Sequence, residues 1–299
     1  MYRKSMGDYI FIIANYTFLA LLCVLFLYPF YYILMYSLSD PIQAAKGAAL
    51  LYPSRFNLQN YATILKQPEI YRAAMVSVGR TVLGTSITVF CCSFFAYLLT
   101  LDQLPFRKII LRFLVITMYM SAGLIPYYLL ISALGLKNNF LVYVVPSAIS
   151  AYFVILIRTY IQQMPKELEE SALMDGAGIT RVYRSIIFPL CKPIVAAISV
   201  FAAVGQWNAW FDNMMYVTKR SLFTLQYILY QFLAGAQATA MAAREAANMA
   251  EFGQNSVSAV TPMSIQMTIT VIAVVPIFVV YPFFQRYFAK GIMIGAVKG

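Results

Sequence analysis

YIFIIANYTFLALLCVLFLYPFYYILM, Tyr9 to Met35, runs 27 residues without one charged side chain. Crossing the hydrocarbon of a bilayer takes a helix of roughly 20 mostly apolar residues, so this stretch reads as a membrane span. It contains Pro29 and lacks a small-residue cleavage pattern, which favours a retained first span over a signal peptide. Five further apolar segments follow, over 73–101, 109–131, 141–161, 193–217 and 263–285. The composition agrees: 62% of the residues are hydrophobic and 11% charged, where a soluble domain carries about a quarter charged residues. In lipid a helix satisfies its own backbone hydrogen bonds, and the 16% of aromatic residues suits the two membrane interfaces. The expectation is an all-α integral membrane protein with six transmembrane helices (spans 9–36, 73–101, 109–131, 141–161, 193–217, 263–285) in a single domain, 1–299. Ser221 to Ala234 is too short for a seventh span and holds Gln226 and Gln231, so it reads as an interfacial or buried helix.

The formal charge is +11, but the 22 cations stand singly between apolar blocks and form no stripe that would bind nucleic acid. With the N-terminus inside, thirteen Lys and Arg fall in about 68 internal residues and eight in about 90 external ones. That bias places both termini in the cytoplasm. Histidine is absent, which removes His-based triads, zinc sites and proton relays. Cys23, Cys91, Cys92 and Cys191 show no C-x-x-C spacing, and no Gly-rich phosphate loop ends in Gly-Lys-Ser/Thr. No catalytic residue, metal site or resident cofactor is expected, and any ATP chemistry belongs to another subunit.

External segments of 37–72, with Pro41, Pro53 and Pro68, and 218–262, with the Ala-rich stretch Ala234 to Ala250, face one long internal connection, 162–192. Within it, MPKELEESALMDGAGITRVYRSIIFPLCKP (Met164 to Pro193) predicts helix, turn, helix along the membrane surface. Pro165 suits a first turn, and Glu167, Glu169 and Glu170 complement the positive end of the helix dipole. Gly176 and Gly178 end or bend that helix. A second helix over Thr180 to Phe188 stops at Pro189 and Pro193. No internal repeat is apparent, which weakens a secondary-transporter reading.

This loop resembles the EAA loop of ABC importer permeases. Glu170-Ser171-Ala172, Asp175-Gly176-Ala177, Tyr183, Ile186 and Pro189 stand at that motif's spacing, with Ser171 in place of the usual second Ala. Gly205 to Asp212 and the tail Phe284 to Gly291, closing on Gly295 to Gly299, resemble the carbohydrate branch: the maltose-type second permease and the group importing oligosaccharides or polysaccharide fragments. The resemblance implies a type I ABC importer permease fold in the bacterial cytoplasmic (inner) membrane, with Glu170, Ser171, Ala172, Asp175, Gly176, Ala177, Ile186 and Pro189 coupling it to an ATPase. It also implies a sister permease, two ATP-binding cassette subunits carrying ATP and Mg, and an extracellular or periplasmic solute-binding protein that delivers a carbohydrate. Two readings stand beside it: a membrane-embedded glycosyl or acyl transferase, and an ABC permease for a non-sugar solute.

The fifth apolar segment carries Gln206, Trp207, Asn208, Trp210, Asp212 and Asn213. Polar groups at such depth need partners. On one continuous helix Gln206, Trp210 and Asn213 share a face, and Asn208 and Asp212 a neighbouring one. A Trp ring beside amides suits a sugar in a substrate path; hydrogen bonding between helices explains the amides equally well. Arg80 is a cation well inside the second span, fit either to attract an acidic sugar or to snorkel or ion-pair structurally. Tyr127 and Tyr128 follow Pro126 and either line a pathway or join the aromatic belt.

Overall fold

The computed structural model describes residues 6–45, 47, 51–53, 55–235 and 262–291, the side chains of 42, 45, 262 and 283–291 excepted. The described residues are helical apart from turns and an isolated antiparallel bridge between Ser39 and Phe56. Three helices are long and apolar enough to cross a membrane, or five spans if each of two bent pairs counts as one. The Ala-rich stretch 234–250 lies almost wholly outside the described residues, as does the tail beyond 291.

The chain divides into two compact units, 1–67 with 231–275, and 68–230 with 276–299. In the first, helix α1 (Met6–Ser37) is apolar all round and exposed nearly throughout, the pattern of a helix whose solvent is lipid. At its end, α2 (Pro41–Ala45) and α3 (Gln59–Leu65) are tied in by polar bonds. The Asn60 amide donates to the Ser37 and Ser39 carbonyls at 3.1 and 3.3 Å, and Ser37 Oγ lies 2.8 Å from the Tyr61 hydroxyl.

The second unit is organised by α4 (Pro68–Leu98). Ala73, Ser77, Gly84, Thr88, Cys92 and Ala96 form a buried stripe at steps of four, apart from one step of seven that Arg80 divides into three and four. Small side chains let helices approach closely, the usual basis of helix packing in membranes. Against this stripe lie α7 (Ala151–Ile161) and α10 (Lys192–Asn208).

Three expected spans are not single helices. Over 109–131 the chain forms α5 (Arg107–Tyr119) and α6 (Leu124–Ala133), bent by 119° at a Met120–Gly123 break where Gly123 has φ +81°. Over 141–161 a 3-10 turn, Phe140–Tyr143, leads into irregular backbone around Pro146, and only α7 is α-helical. Proline removes a donor and breaks the helix. The freed carbonyls are met by α4: Thr88 Oγ1 donates to Ser147 O at 2.9 Å, and Cys92 Sγ approaches the Ala148 and Ser150 carbonyls. Irregular backbone at membrane depth is stable only with such protein partners. Over 193–217, α10 ends at Asn208, Ala209 and Trp210 are non-helical, and α11 (Phe211–Tyr216) resumes. Residues 225–235 are helical (α12), and α13 spans Pro262–Gly291. Two helices complete the unit, α8 (Glu167–Met174) and α9 (Ile179–Leu190).

Candidate functional site

Helices α8 and α9 realise the helix, turn, helix expected between Met164 and Pro193. The turn is a C-capping motif: Gly176 N–H donates to Leu173 O and Ala177 N–H to Ala172 O, both at 3.0 Å, with Gly176 at φ +78°. That conformation is cheap only for glycine. Inside α9, Tyr183–Ile187 widens into a π turn just before Pro189, whose ring cannot fit a regular helical interior. An 81° bend then joins α9 to α10.

The hairpin is fastened to the ends of α4 and α7 by an aromatic and polar cluster. Tyr183 Oη lies 2.7 Å from Ser93 Oγ, and its ring stacks on Tyr97 and meets Phe94 edge-on, with centroids 5.8 and 5.1 Å away. Tyr97 Oη donates to Glu169 Oε1 at 3.0 Å. Beneath them Ile157, Ile161, Val182, Ile187, Cys191 and Ile198 form a buried core, against which Ala172, Ala177 and Ile186 pack. At the exposed margin Asp102 takes Arg107 at 2.7 Å and Lys166 at 3.4 Å. Arg107, then Lys166, hold the Asp102 carboxyl below the ordinary carboxylate range. The acid therefore keeps its charge at the start of α8 until the pH falls through that lowered value.

The proposed coupling residues divide by environment. Ala172, Ala177, Ile186 and Pro189 are partly buried and build the hairpin, whereas Glu170, Ser171, Asp175 and Gly176 are exposed. Ser171 Oγ donates to Glu167 O at 2.6 Å, so its hydroxyl is used locally. Exposed apolar side chains also project here: Met174 is 88% exposed, with Leu168 and Ile179 near 40%. Sequence alone assigned this apolar margin no role and Glu169 only that of complementing the helix dipole, whereas its carboxylate also accepts from Tyr97. Apolar Leu168 and Met174 standing within and just after a run of Glu are the signal that could have found the margin.

The second polar cluster centres on Arg80, which is 3% exposed. Its guanidinium donates to Gln206 Oε1 at 2.9 Å, Ala209 O at 3.1 Å and Asp212 Oδ1 at 3.0 Å, and pairs with Asp212 through a second nitrogen. It lies 4.7 Å from the Tyr143 ring centroid. Gln206 in turn donates to Ser147 Oγ at 2.7 Å, and it lies so close to Gly84 that a Cβ there would sit 2.6 Å from its amide nitrogen. One ion pair thus joins α4, the irregular part of the fourth segment and the break in the fifth. Of the two uses for Arg80, the structure has the ion pair.

The helix break also corrects the expectation of shared faces. Because Ala209 and Trp210 leave the helix, Gln206, Trp210 and Asn213 do not line one stripe. Asn213 Oδ1 accepts from Thr224 N–H at 2.7 Å and is buried. Trp207 lines an apolar cavity of about 390 Å³ with Val78, Val82, Val200, Val204 and Ile277. Trp210 instead stacks on Tyr230, centroids 4.1 Å apart, and Asn208, exposed, accepts from the Gln226 amide at 3.3 Å. Tyr127 stands apart, 40% exposed and edge-on to Tyr216. In the sequence Gln226 marks only a short interfacial or buried helix, and Tyr230 on the same helix carries no signal of its own.

Residues 92–294 match the family described as "binding-protein-dependent transport system inner membrane component". The chain belongs to this family. The permease is 34% identical to Protein LplC of Bacillus subtilis over 291 residues, covering 97% of this chain and 95% of that one. It is 33% identical to the polygalacturonan/rhamnogalacturonan transport system permease YtcP of the same organism, covering 94% of each. A solved bacterial ABC transporter involved in import of the acidic polysaccharide alginate contains a chain that superposes with TM-score 0.83 at 26% identity, covering 96% of the permease and 100% of that chain. The permease is therefore an all-helical inner-membrane subunit of the type I ABC importer fold, not an enzyme. It works with an ATPase partner and a solute-binding protein.

Proposed function

We propose that the permease forms, with a sister permease and two ATP-binding cassette subunits, an importer that carries an oligosaccharide or polysaccharide fragment across the bacterial cytoplasmic membrane. The sugar class is that of several relatives, named as permeases for arabinooligosaccharides, for melibiose, raffinose and stachyose, or for polygalacturonan and rhamnogalacturonan. The observation that carries the mechanism is the hairpin of α8 and α9, fastened through Tyr97, Glu169, Ser93 and Tyr183 to α4 while leaving Glu170, Asp175 and Met174 exposed. A partner gripping those exposed groups moves α4 as a rigid body, because stacked rings and two side-chain bonds leave little slack. In this arrangement α1, α4, α5 with α6, the fourth segment ending in α7, α10 with α11, and α13 make six spans of one domain, both ends cytoplasmic, with 162–192 as the internal coupling loop. ATP and Mg bind the partners. Sugar passes the break in the fifth span, where Trp210 and Tyr230 offer rings beside the Asn208 and Gln226 amides; Gln206 and Asp212 hold that wall in place.

The test replaces Gly176 with Leu and Glu170 with Lys. The first opposes a positive φ; the second removes an exposed carboxylate able to make a charge-assisted bond of roughly 1.5–3 kcal/mol, about one to two orders of magnitude in association. Both variants should insert normally yet lose the ATPase on purification and fail to hydrolyse ATP in response to loaded binding protein. Normal retention and stimulation in both would refute the coupling role.

A further inference from the structure

The end of α11 opposite the helix break lies beside two lysines, one of them against a tyrosine ring. Lys137 Nζ sits 4.6 Å from the Tyr128 ring centroid. Tyr128 stacks on Tyr216 at 5.9 Å, and exposed Tyr127 meets Tyr216 edge-on at 6.2 Å. The backbone fixes a second lysine beside the first: Asn138, at φ +57°, accepts through Oδ1 from Thr218 N–H at 2.7 Å and Lys219 N–H at 3.0 Å, and its own N–H donates to Tyr216 O. Lys137 and Lys219 are both exposed, and among the described residues neither pairs with a carboxylate; Arg220 beside them takes Glu69 at 3.4 Å. The other nearby acid, Asp212, is committed to Arg80.

The geometry points to a rim site, formed by Lys137, Lys219 and Tyr127, that takes the carboxylate of a uronate in an acidic oligosaccharide. This rests on the sugar-import reading above and adds a charge to the cargo. Two unneutralised ammonium groups on a rigid turn attract an anion, while the exposed Tyr127 ring suits the apolar C–H face of a pyranose. The six residues of α11 span roughly 9 Å, so a sugar held at the rim stands about that far from Trp210 and Asn208. The rim's cations therefore select for charge before the neutral rings and amides of the break engage the hydroxyls. A phospholipid headgroup or an acidic patch of the binding protein would use the same cations, and the experiment separates these.

The whole transporter, with its binding protein, is reconstituted in phosphatidylcholine vesicles with and without anionic phosphatidylglycerol, and uptake is measured for trigalacturonate and for its carboxyl-reduced, neutral counterpart. In the double variant K137Q/K219Q, the KM for the acidic trisaccharide should rise about tenfold or more, the loss of at least one charge-assisted contact, with the neutral one unchanged. The variant K137R/K219R should restore it, and the wild-type preference should shrink as salt is raised. An equal fall for both sugars would overturn the assignment in favour of binding-protein docking, and a change confined to vesicles containing anionic lipid would overturn it in favour of a headgroup. No change in either sugar, or import of neutral saccharides alone, would overturn the rim site and leave sugar import standing. Failure to import any saccharide would instead refute the function on which it rests.

Discussion

Replacing Arg80 by Met should be among the most damaging single changes available in the membrane region. The side chain is 3% exposed and supplies three hydrogen bonds of 2.9 to 3.1 Å and a close second contact with Asp212. Met fills a similar volume, so little of the effect comes from a cavity. The substitution strands the Asp212 carboxylate, the Gln206 carbonyl and the Ala209 carbonyl without their donor. Removing one partner of a buried pair costs about 3–5 kcal/mol, chiefly because the other charge is left uncompensated. Asp212→Asn should cost less, since Asn keeps an Oδ1 acceptor and the guanidinium retains the Gln206 and Ala209 carbonyls. In the double variant the stranded charge is gone, so the two effects should fall short of additive by about 1–3 kcal/mol. The assay is unfolding of the purified transporter followed with a thiol-reactive dye, using the buried Cys92 and Cys191 as reporters. Additive effects, with coupling below about 0.5 kcal/mol, would refute the claim that this pair holds the break in the fifth apolar segment.

Gly84→Ala should lower stability by about 1–3 kcal/mol, because the new methyl collides with a Gln206 amide already held by Arg80 and Ser147; an unchanged melting temperature would mean that Gln206 swings away freely. Asn208→Ala and Trp210→Ala should reduce sugar uptake at normal assembly while Trp207→Phe leaves uptake kinetics intact, since Trp207 faces the apolar cavity; the reverse ranking would place the sugar in that cavity. For topology, a maleimide that cannot cross the membrane should label Thr218→Cys in intact cells of a cysteine-free background and spare Ser185→Cys, both positions being exposed; strong labelling of the latter would invert the orientation.

The helical class and the hairpin of α8 and α9 were legible because they rest on composition and on residues with few conformational options. An uncharged run of 27 residues has one comfortable solvent, and Gly176 between a Glu-led helix and a Pro-ended one has a limited choice of turns. The breaks were less legible. Hydropathy is blind to whether an apolar stretch keeps its helical hydrogen bonds, so 109–131 and 141–161 read as whole spans although Gly123 and Pro146 sit inside them. The Arg80 cluster was half readable: a lone cation and a lone carboxylate in neighbouring apolar segments invite pairing, yet the expected faces failed because they assumed a continuous helix through Ala209. Tyr97, Ser93 and Tyr183 carry the contact between hairpin and α4 from ninety residues apart in sequence, a distance at which periodicity says nothing.

The ion pair also has a timetable. Arg80 and Asp212 are separated by 132 positions, and a ribosome adding about 5–20 residues per second takes roughly 7–26 s to cover them. For that interval α4 is in or near the bilayer with its guanidinium uncompensated, a liability of about 2.5–3.5 kcal/mol at the centre of a helix. Membrane integration of α4 should therefore be less secure when it first leaves the translocon and become final only when the fifth apolar segment arrives. A nascent chain truncated between the two residues should hand α4 back to the quality-control proteases, whereas one extended past Asp212 should not.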